Sequence, residues 1–234
     1  MPLGFIDSNT MVTPRILPFT ITQDVINGKT TTVIFSHATG GTCTYYQWGR
    51  KDPFPGATAN NQATDNNMDT QPYYYSSITN PGNFIKGTES EPYYNNWFNG
   101  NLKDLWNVGI SENVSTTSTS KKTIYDPSPV GFKVPPPAAF TAIGLIKENW
   151  QSTSGQEGIS VPDSDDFWRA FGFRTLRTSF STNVGTGGHY WSCGPVWNGS
   201  QSLGWGLGLY SNSVNPQGNG FRSNACTVRP VSEQ

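Results

Sequence analysis

Charged side chains are scarce in this sequence, and no long apolar run is present. Its 234 residues include 15 Lys or Arg and 16 Asp or Glu, so the net charge is −1. A nucleic-acid-binding domain usually carries a basic face, so this balance argues against a nucleic-acid partner. No apolar stretch is long enough to span a bilayer, and the N-terminus has no basic segment followed by an apolar one. We therefore expect no membrane span in this chain.

Residues typical of catalytic and metal sites are also few. The chain has two histidines, His37 and His189, and no two of its three cysteines have CxxC spacing, which argues against a zinc knuckle. Nucleophile-elbow, P-loop and HExxH patterns are missing. His189 and Cys193 would lie about 13 Å apart along an extended strand, too far for a catalytic pair unless the chain bends. We predict no enzymatic activity, no cofactor and no metal site.

The cysteines leave two alternatives open. Cys193 and Cys226 lie in two β-like segments near the C-terminus, and Cys43 is distant in sequence. If those segments pair as strands, a Cys193–Cys226 disulfide is geometrically allowed. The alternative is that both are small buried thiols.

Glycine, proline and aromatic residues are abundant. The chain has 25 Gly and 17 Pro, and 13% of its residues are aromatic, a composition that favours turns and loops over long helices. We predict an α+β fold with short strands, about two helices and long irregular loops. Residues 1–40 form N-terminal strands or an attachment, and 41–234 form the main domain with an insertion at about 56–120.

Local patterns predict several elements. Asn27-Gly28 between two β-branched segments, 15–21 and 30–35, indicates two strands. Apolar residues at helical spacing after Pro136 and Pro137 predict a helix at about 137–147. Residues 102–106 resemble one helical turn. The compact group Tyr45, Tyr46 and Trp48 is typical of a core anchor. The acidic residues Asp163, Asp165 and Asp166 favour a solvated turn over a calcium site.

The C-terminal tract 187–231 is the most informative part of the chain. Segments 189–192 and 227–231 resemble strands, and alternating glycines at 204–208 predict a third strand with one bare face. The two runs between them, 194–203 and 210–224, combine aromatic residues with Gly, Asn and Ser, as binding loops do. We predict that these runs form a ligand-binding face, although its strand pattern favours a core position for Trp205. The candidate contacts are Trp197, Asn198, Ser200, Gln201, Trp205, Tyr210, Asn212 and Phe221.

Several segments together resemble a known family. The segment YDPSPVGFKVP at 125–135 is similar to the CPxGWRVPT segment of the Fibrobacter succinogenes major paralogous domain, with Ser128 in place of a frequent Cys and Phe132-Lys133 in place of Trp-Arg. YWSC at 190–193, WGLGL at 205–209 and RSNACTVRPV at 222–231 resemble the family's YWSS, AWxLxF and RxxGxSVRPV segments. YYQWGRKDPF, within 43–54, resembles a block of Bacteroidales members. The likeness covers about 40–55 and 124–231.

This resemblance implies a C-type-lectin-like fold in a secreted or outer-membrane-tethered adhesin, often at a fimbrial tip. It also implies similarity to variable proteins of diversity-generating retroelements, in which 194–224 would be the diversified binding face. The expected ligand is a surface protein or a glycan, and calcium-binding EPN and WND motifs are absent. The expected location is the extracellular or outer-membrane surface, with a phage tail as the alternative. The alternative functions are a structural fimbrial subunit that contacts other pilus subunits and a formylglycine-generating type of enzyme using Cys193 and Cys226.

Overall fold

The structure is a computed structural model and is largely β. It describes residues 21–22, 32–33, 43–63, 68–70, 74–89, 93–117, 119–153, 157–162 and 166–233. Strands account for 37% and helices for 7%. The α+β assignment, and with it the C-type-lectin-like fold implied by the resemblance, is therefore wrong.

The strands range from two to eleven residues, and only three of them are long. In chain order they are β1 Ile21–Thr22, β2 Thr32–Val33, β3 Thr44–Gln47, β4 Phe54–Pro55, β5 Met68–Asp69, β6 Phe84–Ile85, β7 Asn107–Val108, β8 Lys121–Lys122, β9 Phe132–Lys133, β10 Trp150–Gln151, β11 Gly158–Ser160, β12 Phe167–Arg169, β13 Phe173–Arg174, β14 Ser181–Thr182, β15 Gly187–Trp197, β16 Ser202–Tyr210, β17 Ser213–Phe221, β18 Ala225–Thr227 and β19 Val231–Ser232. The helices are α1 Tyr74–Thr79 and α2 Ala138–Thr141, with a 3₁₀ helix at Lys147–Asn149.

An eight-stranded sheet organises the described chain. Its main path is β14-β13-β18-β15-β16-β17, and β3 joins it through β18 and also pairs with β4. The strands β15, β16 and β17 form an antiparallel meander. Strand β18 connects the meander to the rest, because it runs parallel to β15 and antiparallel to β3 and β13. The predicted strands at 189–192 and 204–208 are confirmed within β15 and β16.

Glycines in β16 give the meander one face that indole rings cover closely. Gly204, Gly206 and Gly208 share a face because side chains alternate along a strand. A β-carbon on Gly204 would overlap the indole of Trp48, and one on Gly206 would lie 3.5 Å from Trp191. The bare face predicted from the sequence is therefore covered by Trp48 and Trp191 at Gly204 and Gly206, and by His189 and Tyr210 at Gly208.

The helix near residue 140 is shorter than predicted. It begins after Pro137, as the sequence indicated, but it ends at Thr141 instead of 147. Gly144 has a φ of +69°, in the left-handed region that ends helices. The helical turn predicted at 102–106 is also absent from this described segment, where Leu105 and Trp106 are buried in an irregular loop.

The predicted insertion contributes directly to the core. Phe84, Ile85, Trp97 and Trp106 lie between residues 56 and 120 and are at most 1% exposed. They pack in clusters with residues from β3 and from the C-terminal strands. As predicted, Tyr45, Tyr46 and Trp48 are core residues.

The N-terminal strands agree with the sequence prediction as far as they are described. Strands β1 and β2 pair antiparallel, with Ile21 opposite Val33. Asn27-Gly28 lies outside the described residues. The division of the chain at about residue 40 stays a prediction.

Candidate functional site

The meander separates the predicted contact residues into three groups. Two groups lie at its two ends, and the third, Trp205 and Phe221, lies on the face opposite to Trp197. The β15–β16 turn carries Trp197, Asn198, Ser200 and Gln201 at one end, and the β16–β17 turn carries Asn212 at the other. The eight residue steps along β16 place these turns about 26 Å apart. A single small ligand therefore cannot contact all of the predicted residues.

The turn after β15 is held by its own side chains. Asn198 Oδ1 accepts hydrogen bonds from the backbone N–H groups of Ser200 (3.2 Å) and Gln201 (2.8 Å). Asn198 Nδ2 donates to Gln201 Oε1 at 2.8 Å. Gly199 supplies the positive φ of 95° that such a turn needs. The carboxamides at this tip are therefore fixed in position although Asn198 is exposed.

Tyr93 and Tyr94, which the sequence analysis missed as contacts, lie beside this turn. The Tyr93 and Trp197 rings have centroids 6.0 Å apart and are tilted by 51°. Tyr94 forms a parallel β-bridge with Gln201. The side chains of these four residues, Tyr93, Tyr94, Trp197 and Gln201, are only partly buried. We call this surface the aromatic–amide ledge. Its members are Tyr93, Tyr94, Asn113, Trp197, Asn198 and Gln201.

Asn113 fixes the position of Trp197. Its Oδ1 accepts the Trp197 backbone N–H at 2.9 Å, and its own backbone N–H donates to Pro195 O at 3.2 Å. Asn113 adopts a left-handed φ of 63°, which Asn tolerates better than most residues. The 93–113 segment thus contacts the β15–β16 turn at two points, through Asn113 at residues 195 and 197 and through Tyr94 at Gln201.

A charged pair borders the ledge at Tyr94. Arg177 Nη1 lies 2.6 Å from Glu89 Oε1, and its Nη2 donates to Tyr94 Oη at 3.0 Å. Lys86 approaches the same carboxylate at 2.9 Å. Lys86 first, and then Arg177, lower the pKa of Glu89. Lys86 and Arg177 share the one carboxylate of Glu89, so this cluster carries one surplus positive charge beside a ledge whose own residues are uncharged.

The protein also contains a dense indole core, which we define as Trp48, Trp97, Trp106 and Trp191. All four indoles are at most 1% exposed. Each indole N–H donates to a backbone carbonyl at 2.7–3.1 Å. Because buried polar groups that are bonded fix geometry as well as energy, this core is a rigid part of the protein.

Arg222 joins the indole core to two nearby backbone segments. Its guanidinium lies 4.2 Å from the centre of the Trp48 ring. Nε donates to Leu203 O and Nη1 to Leu102 O, both at 3.0 Å. Arg222 is fully buried, and burial lowers its pKa to about 9.

Trp205 and Phe221 lie on the opposite face of the meander from Trp197. The register places Trp205 opposite Asn219 and Phe221 opposite Leu203, whereas Trp197 is opposite Ser202 on the glycine face. Trp205 is half-buried, and its Cδ1 lies close to Gly194. Trp205 is therefore packed against its neighbours but is not one of the buried core residues that the sequence favoured it to be.

Tyr210 and Asn212 belong to the far end of the meander. Tyr210 Oη lies 3.0 Å from His189 Nε2, and the His189 ring contacts Phe173 edge-on at 5.4 Å. Burial lowers the pKa of His189 to about 4. Tyr210 is therefore a partly buried packing residue, and Asn212 is exposed in the turn beyond it.

The cysteines lie in the protein interior. Cys43, Cys193 and Cys226 are all free and buried, so Cys193 and Cys226 are not bridged. Burial raises the pKa of Cys43 to about 11 and that of Cys193 to about 12. Since the thiolate is the reactive form, their burial disfavours the nucleophilic state.

The described residue of the acidic turn is buried and paired with an arginine. Asp166 is buried and forms an ion pair with Arg229, so its predicted exposure to solvent was wrong. Asp163 and Asp165 lie outside the described residues. Over the described ranges, no group of three or more His, Cys, Asp or Glu is placed to hold a metal ion. No helix in these ranges is long and apolar enough to cross a membrane.

Comparison with known proteins gives no match. No protein-family model, no curated protein and no solved structure matches this chain. The resemblance to the Fibrobacter succinogenes major paralogous domain therefore stays an expectation drawn from short segments.

Proposed function

We propose that this protein is an extracellular, adhesin-type ligand-binding module and that the aromatic–amide ledge is its contact surface. The observation that carries this proposal is the Tyr93–Trp197 pair, whose rings are partly exposed at 6.0 Å beside a turn of fixed carboxamides. Tyr and Trp offer a large contact area at low entropic cost, and Asn, Gln and Ser add hydrogen bonds. This narrows the binding face expected at 194–224 to its first turn plus residues 93–94 and 113.

Preorganisation is the second support for this function. The ledge residues are held by backbone and side-chain bonds to Pro195, Asn113 and one another. A surface fixed before binding loses little conformational entropy when a ligand arrives. Arrangements that serve only the fold have no need to keep two large rings partly in solvent.

Strand β17 disfavours the fimbrial-subunit alternative. Donated-strand assembly requires a free sheet edge, and β17 is an edge of the main sheet. Pro216 lacks a backbone N–H, and the register shifts between Gly206 and Gly208 opposite it. Both features are common devices that prevent edge pairing.

The function can be tested with a panel of immobilised extracellular proteins and glycans. We expect the protein to bind at least one member, and the double change Tyr93→Ala with Trp197→Ala to weaken that binding at least tenfold. Tyr75→Ala is the matched control, because Tyr75 is a 71% exposed aromatic on α1 outside the ledge. If the double variant stays folded by circular dichroism and binds as tightly as the parent protein, the ledge is not the contact surface.

A further inference from the structure

We propose that the ligand of the ledge is a neutral oligosaccharide, which rests on the proposed function of that surface. The inference comes from three properties of the ledge together. These are its tilted aromatic pair, its carboxamide groups with unused donors, and its lack of formal charge among its six members.

The aromatic pair can take the apolar faces of sugar rings. Pyranose rings present patches of C–H groups, and aromatic faces carry the partial negative charge that attracts such groups. The Tyr93 and Trp197 rings contact each other with centroids 6.0 Å apart and planes inclined at 51°, and both residues keep part of their surface in solvent. Two partly exposed rings that are not stacked flat can each contact one of two consecutive sugar units.

The carboxamides supply the polar half of sugar recognition. Gln201 Oε1 accepts from Asn198, and Asn113 Oδ1 accepts from Trp197 N. In the described part of the chain, the Gln201 Nε2 and Asn113 Nδ2 groups make no hydrogen bond to protein. Their orientation is set by the bonds to their oxygens, so these two donors remain available for hydroxyl groups beside the Trp197 ring.

The charge pattern argues against an ionic ligand. The six ledge residues are uncharged, and the neighbouring Arg177 is already bonded to Glu89 and to Tyr94 Oη. A sulfated or sialylated ligand would find no cation among the six ledge residues, and the nearest cations, Lys86 and Arg177, lie outside the ledge and are bonded to Glu89. Oligosaccharides without charge need no counter-charge, because their hydroxyl groups both donate to and accept from carboxamides.

A titration with defined tetrasaccharides tests this assignment. The probes are an array of neutral oligosaccharides that includes cellotetraose, maltotetraose and N-acetylchitotetraose, beside sialyl-lactose and a heparin tetrasaccharide. We expect a neutral member to bind, with an affinity that changes less than twofold between 0.05 and 0.5 M NaCl. Screening weakens only charge-based contacts strongly.

Substitutions link that binding to the ledge. Trp197→Ala should lower the affinity for the neutral oligosaccharide at least tenfold, and Gln201→Ala about threefold to tenfold, since one neutral hydrogen bond contributes about 1 kcal/mol. Tyr75→Ala should leave it unchanged. Retained thermal melting of each variant would exclude unfolding as the cause of any loss.

The outcomes separate this inference from the proposed function. If no neutral oligosaccharide binds, or if binding is strongest for the anionic probes and falls with salt, the sugar assignment is overturned. A protein ligand that needs Tyr93 and Trp197 would then still uphold the ledge as a contact surface. If neutral sugars bind but Trp197→Ala has no effect, the sugar site lies elsewhere and the inference fails.

Discussion

Trp191 and Trp197 lie six residues apart in β15, on the same face of the same sheet, and have opposite environments. Trp191 is fully buried, and its indole N–H donates to Tyr46 O at 2.8 Å. Trp197 is half-buried at the turn, and the Tyr93 ring lies beside it. The two residues share their type, their strand and their sheet face, so none of these properties explains why Trp191 is buried and Trp197 is partly exposed.

Position along the strand makes the difference. Trp191 lies opposite Gly206, where the adjacent strand leaves room for an indole and where β3 lies close by. Trp197 lies opposite Ser202, one residue before the turn, where the sheet ends. The C-terminal tract thus contributes Trp191 to the indole core and Trp197 to the ledge at its tip.

A large effect should come from Arg222, which packs against the indole core. Arg222→Ala removes hydrogen bonds to the carbonyls of Leu203 and Leu102 and a cation over Trp48, and we expect a loss of about 3 kcal/mol in the free energy of unfolding. Arg177→Ala, at the border of the ledge, should cost less than about 1 kcal/mol because exposed ion pairs contribute little. Urea denaturation measures both. Equal losses would show that the two regions are not distinct.

A smaller effect should come from filling the glycine face. Gly204→Ala places a methyl group against the Trp48 indole, and overpacking of this kind costs about 1–3 kcal/mol. Gly82→Ala is the matched control, since a β-carbon there meets nothing within 4 Å. That change should be neutral or slightly stabilising. If Gly204→Ala melts at the parent temperature, the close contact between Trp48 and β16 is incorrect.

A third effect concerns acid at the far end of the meander. The pKa of His189 falls from 6.5 to about 4 on folding because of burial, so the unfolded chain binds a proton more readily. The free energy of unfolding should therefore fall as the pH drops below about 6.5, and the loss due to His189 should be complete near pH 4. In thermal melts, His189→Gln should show a weaker decline across this window. Parallel declines in the two proteins would rule out this role for His189.

The sequence allowed part of this arrangement to be predicted. Alternating glycines identified β16, and Pro136-Pro137 marked the start of α2, because backbone restrictions of Gly and Pro are local properties. The aromatic–amide composition of 194–203 pointed to the turn that carries half of the ledge. These signals depend on neighbouring residues alone, so a single sequence contains them.

The remaining features depend on long-range pairing. Tyr93 and Tyr94 reach the ledge only because Tyr94 bridges to Gln201, more than a hundred residues away. Phe221 is excluded from the ledge by the register of β17 against β16, which places it opposite Leu203. A shift of one residue would move it to the other face, and no local pattern fixes that register. The predicted helix was too long: α2 ends at Thr141, shortly before Gly144, whose φ is positive.

Unfolding of Trp191→Ala beside Trp197→Ala tests the central division most directly. We predict that Trp191→Ala lowers the free energy of unfolding by about 3–5 kcal/mol, as expected for a buried tryptophan. Trp197→Ala should lower it by about 1 kcal/mol, the scale of one aromatic pair. Urea denaturation of the two variants under identical conditions measures both losses. If Trp197→Ala destabilises the protein as much as Trp191→Ala does, Trp197 is a core residue and the ledge is not a contact surface.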